Sequence, residues 1–207
     1  MEIGSVSDKY KEIIKLVKNK EVLDLGCADH SIKQMERRGE KWIHKIIKDN
    51  AKYVLGVDAN KTSVLELKKR GYNVMVAKVD EVGFGVKHKF DLIVAGHLIE
   101  HLDNMGIFLK NCKKHLKKNG KVILVVPNAF FIKRFIEIIF RDQVYCNPDH
   151  TMWQDPRTIN SFLKKNNWKI NRITWINDLK WYRIVGIPMR LRKYFHFEFI
   201  VIAQPIN

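Results

Sequence analysis

A chain of 207 residues, 46% hydrophobic and 29% charged, is long enough to bury a core and is not the composition of a disordered polymer. No run approaches the length of a membrane span, the first residues lack a signal peptide's apolar core, and Cys27, Cys112 and Cys146 show no paired spacing, so a disulfide framework is excluded and a reducing cytoplasm is expected. The net charge of +16 would suit nucleic acid, an anionic membrane or a phosphorylated substrate, yet lysines spread singly, as at Lys9, Lys11, Lys15, Lys18 and Lys20, read as a solvated surface.

In chain order, Ser5-Val6-Ser7-Asp8 reads as a helix start, with Tyr10, Ile13, Ile14 and Val17 on one face. Apolar runs then alternate with helical periods, the pattern of a parallel α/β sheet. Strands are expected at 21–25, 53–57, 73–77, 90–95 and 121–126, with helical segments near 31–38, 40–48, 61–70 and 104–117. Gly39 and Gly71 sit where C-terminal caps belong, and Asn119-Gly120 turns the chain into the fifth strand. Asp155-Pro156 gives an N-cap with proline at the first helical position, and Ile159, Phe162 and Leu163 are expected to face inward. Two further strands, 168–176 and 195–203, close the chain, the last alternating Phe197, Phe199 and Val201 against Glu198 and Ile200. The whole, 1–207, reads as one domain with two added segments, 128–150 and 177–194. The first follows the fifth strand, where an open α/β sheet would carry a cover over its ligand.

The chemistry sits in the stretch from Val22 to Ser31. A strand ending in Asp24 leads through Gly26, Cys27 and Ala28 into a helix, and a second strand ends in Gly56-Val57-Asp58. Gly26 lets backbone approach a ligand, and the small Cys27 and Ala28 keep the turn open. Ala28 and His30 stand where a dinucleotide loop would carry glycine, so a cofactor without a pyrophosphate fits better. Asp24 could face a cationic amino group, and Asp58 could accept hydrogen bonds from ribose hydroxyls.

On these residues the chain resembles the class I S-adenosylmethionine-dependent methyltransferases. The likeness runs from Val22 to about Trp168 through four pieces in order: Val22-Leu23-Asp24-Leu25-Gly26-Cys27, Gly56-Val57-Asp58, Phe90-Asp91-Leu92-Ile93-Val94 with Glu100-His101-Leu102, and Leu116 through Pro127-Asn128. It is most similar to the branch with Glu-His-Leu after the fourth strand, which also carries a segment like His150-Thr151-Met152-Trp153-Gln154-Asp155-Pro156. The resemblance implies a Rossmann-like, seven-stranded, mostly parallel sheet with helices on both faces and the last strand antiparallel. It implies S-adenosylmethionine as cofactor, with Asp24, Gly26, Cys27 and Ala28 at its methionine end. Asp58 would meet the ribose and Asp80 the adenine amino group, while Ala95, Gly96 and His97 would line the pocket beneath the sulfonium. Asp24 and Asp58 are 34 positions apart, longer than a strand-helix-strand unit needs, and Trp42, Ile43, Ile46 and Ile47 predict a second packed helix in the surplus.

A hydroxyl acceptor needs a base, and His101 and His150 are the candidates, one after the fourth strand and one in the cover segment. His44, His88, His115 and His196 read as surface or packing residues. His97-Leu98-Ile99-Glu100-His101 matches a zinc-peptidase spacing, but it follows a strand directly instead of lying in a long helix, and no metal is expected. The expected acceptor is a small-molecule or glycan hydroxyl. An RNA methyltransferase is the alternative that the charge suggests, and a non-catalytic scaffold is the second. Three readings compete for the apolar, basic stretch from Phe130 to Arg141 and for Trp181-Tyr182-Arg183 and Arg190 to Phe195. The favoured one is a helix covering the pocket with its apolar side packed on the core; the others are a membrane-surface contact and an RNA-binding face.

Overall fold

The structure is a computed structural model that describes residues 2–29, 31–143, 146–176 and 188–206, with the backbone alone for 2–7, 189 and 190. Its strands are β1 (Glu2–Ser7), β2 (Glu21–Leu25), β3 (Tyr53–Asp58), β4 (Val74–Val76), β5 (Phe90–Gly96), β6 (Leu116–Pro127), β7 (Trp168–Ile176) and β8 (Glu198–Pro205). They form one sheet in the order β1-β7-β8-β6-β5-β2-β3-β4. β8 runs antiparallel between β6 and β7, and the remaining pairs are parallel. All seven expected strands are there. The eighth, β1, occupies part of the segment that sequence alone reads as a helix start; the helix α1 (Lys9–Val17) begins after it, with Asp8 as N-cap accepting from the Tyr10 and Lys11 N–H groups.

Helices cover both faces. On one, α1 and α3 (Ile43–Asn50) bury Ile13, Val17, Ile46 and Ile47 against Val22, Val94, Ile123 and Ile200. On the other, α5 (Met105–His115) and α7 (Pro156–Lys165) bury Phe108, Leu109, Ile159 and Leu163 against Leu25, Ile93, Leu124 and Phe199. Asp155 closes a capping box with Thr158 ahead of α7. Helices α2 (Ile32–Arg38) and α4 (Lys61–Lys69) flank β2 and β3 in sequence, with Ser31 and Asn60 as N-caps. Helix α6 (Ile132–Arg141) follows β6.

Two local expectations differ. Asn119-Gly120 lies within β6, where the register with β5 jumps from Phe90↔Leu116 to Leu92↔Lys121. β8 does not alternate: as an inner strand it is covered on both faces, so Phe199 and Val201 face one core, Ile200 and Ile202 face the other, and Glu198 is buried. Among the described residues no helix is long and apolar enough to cross a membrane.

Candidate active site

The carboxyl ends of β2, β3 and β5 lie side by side, in register Leu25↔Val57 and Leu25↔Ala95, and open into a cleft of about 750 Å³. That size is typical of a cofactor site, roughly 300–1,000 Å³. Gly26 makes the turn out of β2 at φ +74°, a left-handed conformation, and a Cβ there would stand 3.0 Å from Leu98 Cδ1. The turn is tied to β3 through three N–H groups, Cys27 N–H donating to the Val57 carbonyl at 3.3 Å. Gly26 N–H donates to the Val57 carbonyl at 2.8 Å, and Ala28 N–H donates to Asp58 Oδ2 at 2.9 Å. Asp58 Oδ1 accepts from Asn60 N–H at 2.8 Å. A carboxylate has about four acceptor positions, so capacity for a ligand hydroxyl remains. Burial pushes the Asp58 carboxyl up, against those backbone donors.

Asp24 is 2% exposed and meets an unexpected partner: His44 Nδ1 lies 2.8 Å from Asp24 Oδ2, and His44 is 1% exposed. His44 belongs to α3, the surplus helix between Asp24 and Asp58, and both residues line the cleft. Burial raises the Asp24 carboxyl, and the histidine opposes that rise. The space is made by Gly56, where a Cβ would come within 2.7 Å of both Cys27 Sγ and His44 Cε1. Trp42 Nε1–H donates to the Cys27 carbonyl at 3.0 Å, fixing the loop from the same side.

At the end of β5, His97 also adopts a left-handed backbone, φ +55°, which is uncommon outside glycine and clusters at functional sites. Its Nε2 lies 2.6 Å from Glu198 Oε2 at the start of β8, and Lys9 Nζ lies 2.8 Å from Glu198 Oε1. Burial would raise the Glu198 carboxyl; the His97 and Lys9 contacts outweigh it and bring it down to about 2.

The cover segment is attached by named bonds. Thr151 N–H donates to the Glu100 carbonyl and its Oγ1–H is shared between the Leu102 and Glu100 carbonyls, at 3.0 and 3.2 Å, which draws His150 to His101. The two rings meet edge to face with centroids 4.7 Å apart, and His101 Nδ1 lies 3.2 Å from the Asp149 carbonyl oxygen. A carbonyl only accepts, so that nitrogen carries a proton, and in a neutral ring the lone pair would then sit on Nε2. Burial lowers the pKa of His150, helped by His101 and Arg134. Glu100 is 3% exposed, its carboxyl is raised by burial, and Oε2 has no hydrogen-bond partner. Glu100, His101 and His150 bring one ligand atom each within 4.8 Å of one another, a set that could hold a divalent cation although none was expected from sequence.

Of the anticipated residues, Asp24, Gly26, Cys27, Ala28, Asp58, Gly96, His97, His101 and His150 all line this cleft. Two are placed elsewhere. Ala95 is fully buried in the sheet between Leu25 and Leu124, so Gly96 and His97 are what β5 turns toward the cleft. Asp80 is not among the lining residues; its Oδ2 accepts from Asp103 N–H at 3.1 Å. His30 and Trp181-Tyr182-Arg183 lie outside the described residues. His44 and Glu198 were missed as site residues.

Helix α6 also departs from expectation. None of its residues is buried, and its apolar side faces outward, while Arg134 turns inward over the Trp153 ring, 3.7 Å from the centroid, and lines the cleft. The polar side wins the inner position because Arg134 finds both that ring and the Asn128 carbonyl there.

A methyltransferase domain family matches residues 3–172. The chain is 24% identical to a ubiquinone biosynthesis O-methyltransferase of Pelagibacter ubique over 180 residues, 82% of this chain and 70% of that protein. It is 27% identical to a protein of the same name from Bradyrhizobium diazoefficiens over 114 residues, covering 52% of this chain and only 40% of that relative. Among solved structures, a methyltransferase from Archaeoglobus fulgidus, described as S-adenosylmethionine-dependent, superposes with a TM-score of 0.65 at 19% identity, over 94% of this chain and 90% of that one.

Proposed function

This chain belongs to the methyltransferase domain family of S-adenosylmethionine-dependent enzymes, and from that premise we propose that it methylates a hydroxyl oxygen of a small-molecule or glycan acceptor. The carrying observation is the pair of imidazoles, His101 and His150, set edge to face in the cleft that also holds the loop at 26–28. A neutral hydroxyl is a weak nucleophile, and its oxygen must lose a proton as it takes the methyl group. His101 or His150 accepts that proton. His150 is suited because burial lowers its pKa and so favours the neutral ring, and His101 because its Nδ1 faces the Asp149 carbonyl and is held by it. The O-methyltransferase names of the relatives agree with an oxygen acceptor.

When bound, S-adenosylmethionine supplies an activated methyl group on its sulfonium. The chain's own tasks are to hold that cofactor, align the acceptor and exclude water. Gly26, Cys27 and Ala28 provide backbone against the methionine end, Asp24 offers its carboxylate to the ammonium, and Asp58 takes the ribose hydroxyls. Gly96 and His97 form the floor, and Cys146, Asn147, Asp149 and His150 of the cover segment close one wall.

The orphaned Glu100 Oε2 favours a second reading, in which a divalent cation on Glu100, His101 and His150 binds the acceptor oxygen and lowers its pKa. A methyl-transfer screen with labelled cofactor, run with and without chelator over phenolic, glycan, lipid-linked and RNA acceptors, tests both. Label on an oxygen of a small acceptor is the expected result. Label confined to RNA, or no turnover with any acceptor despite tight cofactor binding, overturns the acceptor proposed here.

A further inference from the structure

Helix α6 presents the opposite side from that of a helix covering a core. Its polar stripe faces the protein: Arg134 stacks on Trp153, its Nε–H donates to the Asn128 carbonyl, and the Glu137 side chain is 15% exposed. The other stripe faces solvent, with Ile139 74% and Phe140 80% exposed and Phe135, Ile136 and Ile138 each between 44% and 46%. The helix is held this way at its start, where Phe131 is buried with its ring edge-on to Phe197, centroids 5.6 Å apart. Exposed hydrophobes elsewhere, such as Leu65 and Val82, stand apart in sequence, whereas five exposed apolar residues within one helix form a patch of the kind that marks an interaction surface.

Charge selects the occupant. Lys133, whose ammonium lies 3.7 Å from Glu137 Oε1, and Arg141 are exposed on α6, and the turn Met189–Phe195 beside it adds exposed Leu191 and Lys193. The acid of the helix, Glu137, is turned inward, leaving Asp142 just beyond its end as the exposed acid. A second copy of this chain would bring one +16 protein against another. RNA would find phosphate partners and the rings of Phe135 and Phe140, but Ile136, Ile138 and Ile139 set among them offer bases nothing to stack on. An anionic bilayer takes both components at once, apolar side chains at the acyl boundary and lysine and arginine among the headgroups.

We propose that α6 docks in the plane of an anionic membrane surface, with Phe135, Ile136, Ile139 and Phe140 inserted and Lys133, Arg141 and Lys193 among the headgroups. At ten residues the helix is far too short to span and is suited to lie flat. Because Arg134 on its inner side lines the cleft, docking leaves one helix between the bilayer and that wall of the cleft. This goes beyond the acceptor chemistry and holds whichever hydroxyl is methylated.

The test is flotation of the full chain with vesicles of phosphatidylcholine alone or with roughly 30% phosphatidylglycerol, at low and high salt. The chain should float with the mixed vesicles, less so at high salt. Ile139→Asp with Phe140→Asp should lower partitioning about tenfold or more, and Lys133→Glu with Arg141→Glu should lower it and flatten the salt dependence. Leu65→Asp on α4, 47% exposed, should leave it unchanged. Calorimetric S-adenosylmethionine binding, expected unaltered in every variant, separates a docking failure from an unfolded chain or a wrong cofactor assignment. Vesicle binding indifferent to the Ile139/Phe140 pair overturns the proposal. So does a parent chain that ignores both vesicles and instead self-associates or retains RNA through that pair.

Discussion

Glu198 joins the last strand to the floor of the cleft, with one oxygen 2.6 Å from His97 Nε2 and the other 2.8 Å from Lys9 Nζ. Because β8 is antiparallel to β6, its first residue arrives where the parallel strands end. The same carboxylate therefore fixes a left-handed histidine at the site and pins α1 from behind.

That arrangement sets an acid limit on stability. The Glu198 carboxyl titrates near 2 in the fold against an ordinary value of 4.5, so its contribution is complete above about pH 5 and is lost as pH falls toward 2. The contribution is at most about 3.5 kcal/mol, since each tenfold change in proton affinity is worth about 1.4 kcal/mol. Glu198→Gln should lower stability at pH 7 and flatten the acid limb between pH 5 and 3 in urea unfolding. Parallel limbs for the two proteins would contradict this account.

Gly56→Ala tests the packing under Asp24. The added methyl group would lie within 2.8 Å of Cys27 Sγ, His44 Cε1 and Val74 Cγ1, all three in the interior. Overpacking of this kind costs about 1–3 kcal/mol and displaces whatever can move. The expected result is a lower urea midpoint together with weaker S-adenosylmethionine binding, because the displaced groups carry the loop and the Asp24 partner. Full affinity in a destabilised variant would separate the packing from the site.

The sheet was legible because apolar runs bounded by Gly, Asn and Asp mark strands whether or not their partners are known, as at Glu21–Leu25 and Trp168–Ile176. Asp24, Gly26 and Asp58 were legible from their place at strand ends. His44 was not, since nothing local distinguishes it from a packing histidine; the signal was the surplus length between Asp24 and Asp58, which had to go somewhere near both. Glu198 was placed in an alternating strand, set with Ile200 against Phe197, Phe199 and Val201, and the insertion of β8 between β6 and β7 covers both of its faces, so that Glu198 is buried. Periodicity showed that α6 is amphipathic. It could not show which side faces in, because that depends on Trp153, 19 positions beyond Arg134 in sequence.

Asp58 and His44 should affect cofactor affinity differently with pH. Asp58→Ala removes the acceptor for Ala28 N–H as well as the proposed ribose ligand and should weaken calorimetric binding at least about tenfold near pH 8, since a charged hydrogen bond is worth about 1.5–3 kcal/mol, with the loss shrinking as pH falls because burial raises that carboxyl. His44→Phe acts through Asp24. Burial already raises that carboxyl, and the histidine bond restrains it. Without the bond the carboxyl rises further and is protonated over more of the acid range, so the affinity loss should grow as pH falls from 8 to 5. A loss independent of pH would mean that His44 only fills space.

His101 and His150 remain to be told apart, and single variants read with a chelator do so. If one imidazole is the base, its alanine variant should lose roughly 10²–10⁴ of turnover with cofactor affinity unchanged, and the other variant should lose far less. The limb of kcat on the acid side should then follow protonation of the base: activity falls as pH drops through its pKa, which for His150 lies below the usual histidine value because of burial. Chelator should leave turnover intact under this reading. If a cation is shared by Glu100, His101 and His150, the outcome inverts: each alanine variant loses activity to a similar extent, Glu100→Gln does the same, and chelator abolishes turnover until a divalent ion is restored. The size of the Glu100→Gln effect is the sharpest discriminator, because Glu100 is buried, has no hydrogen-bond partner at Oε2, and has no direct part in a single-histidine proton transfer.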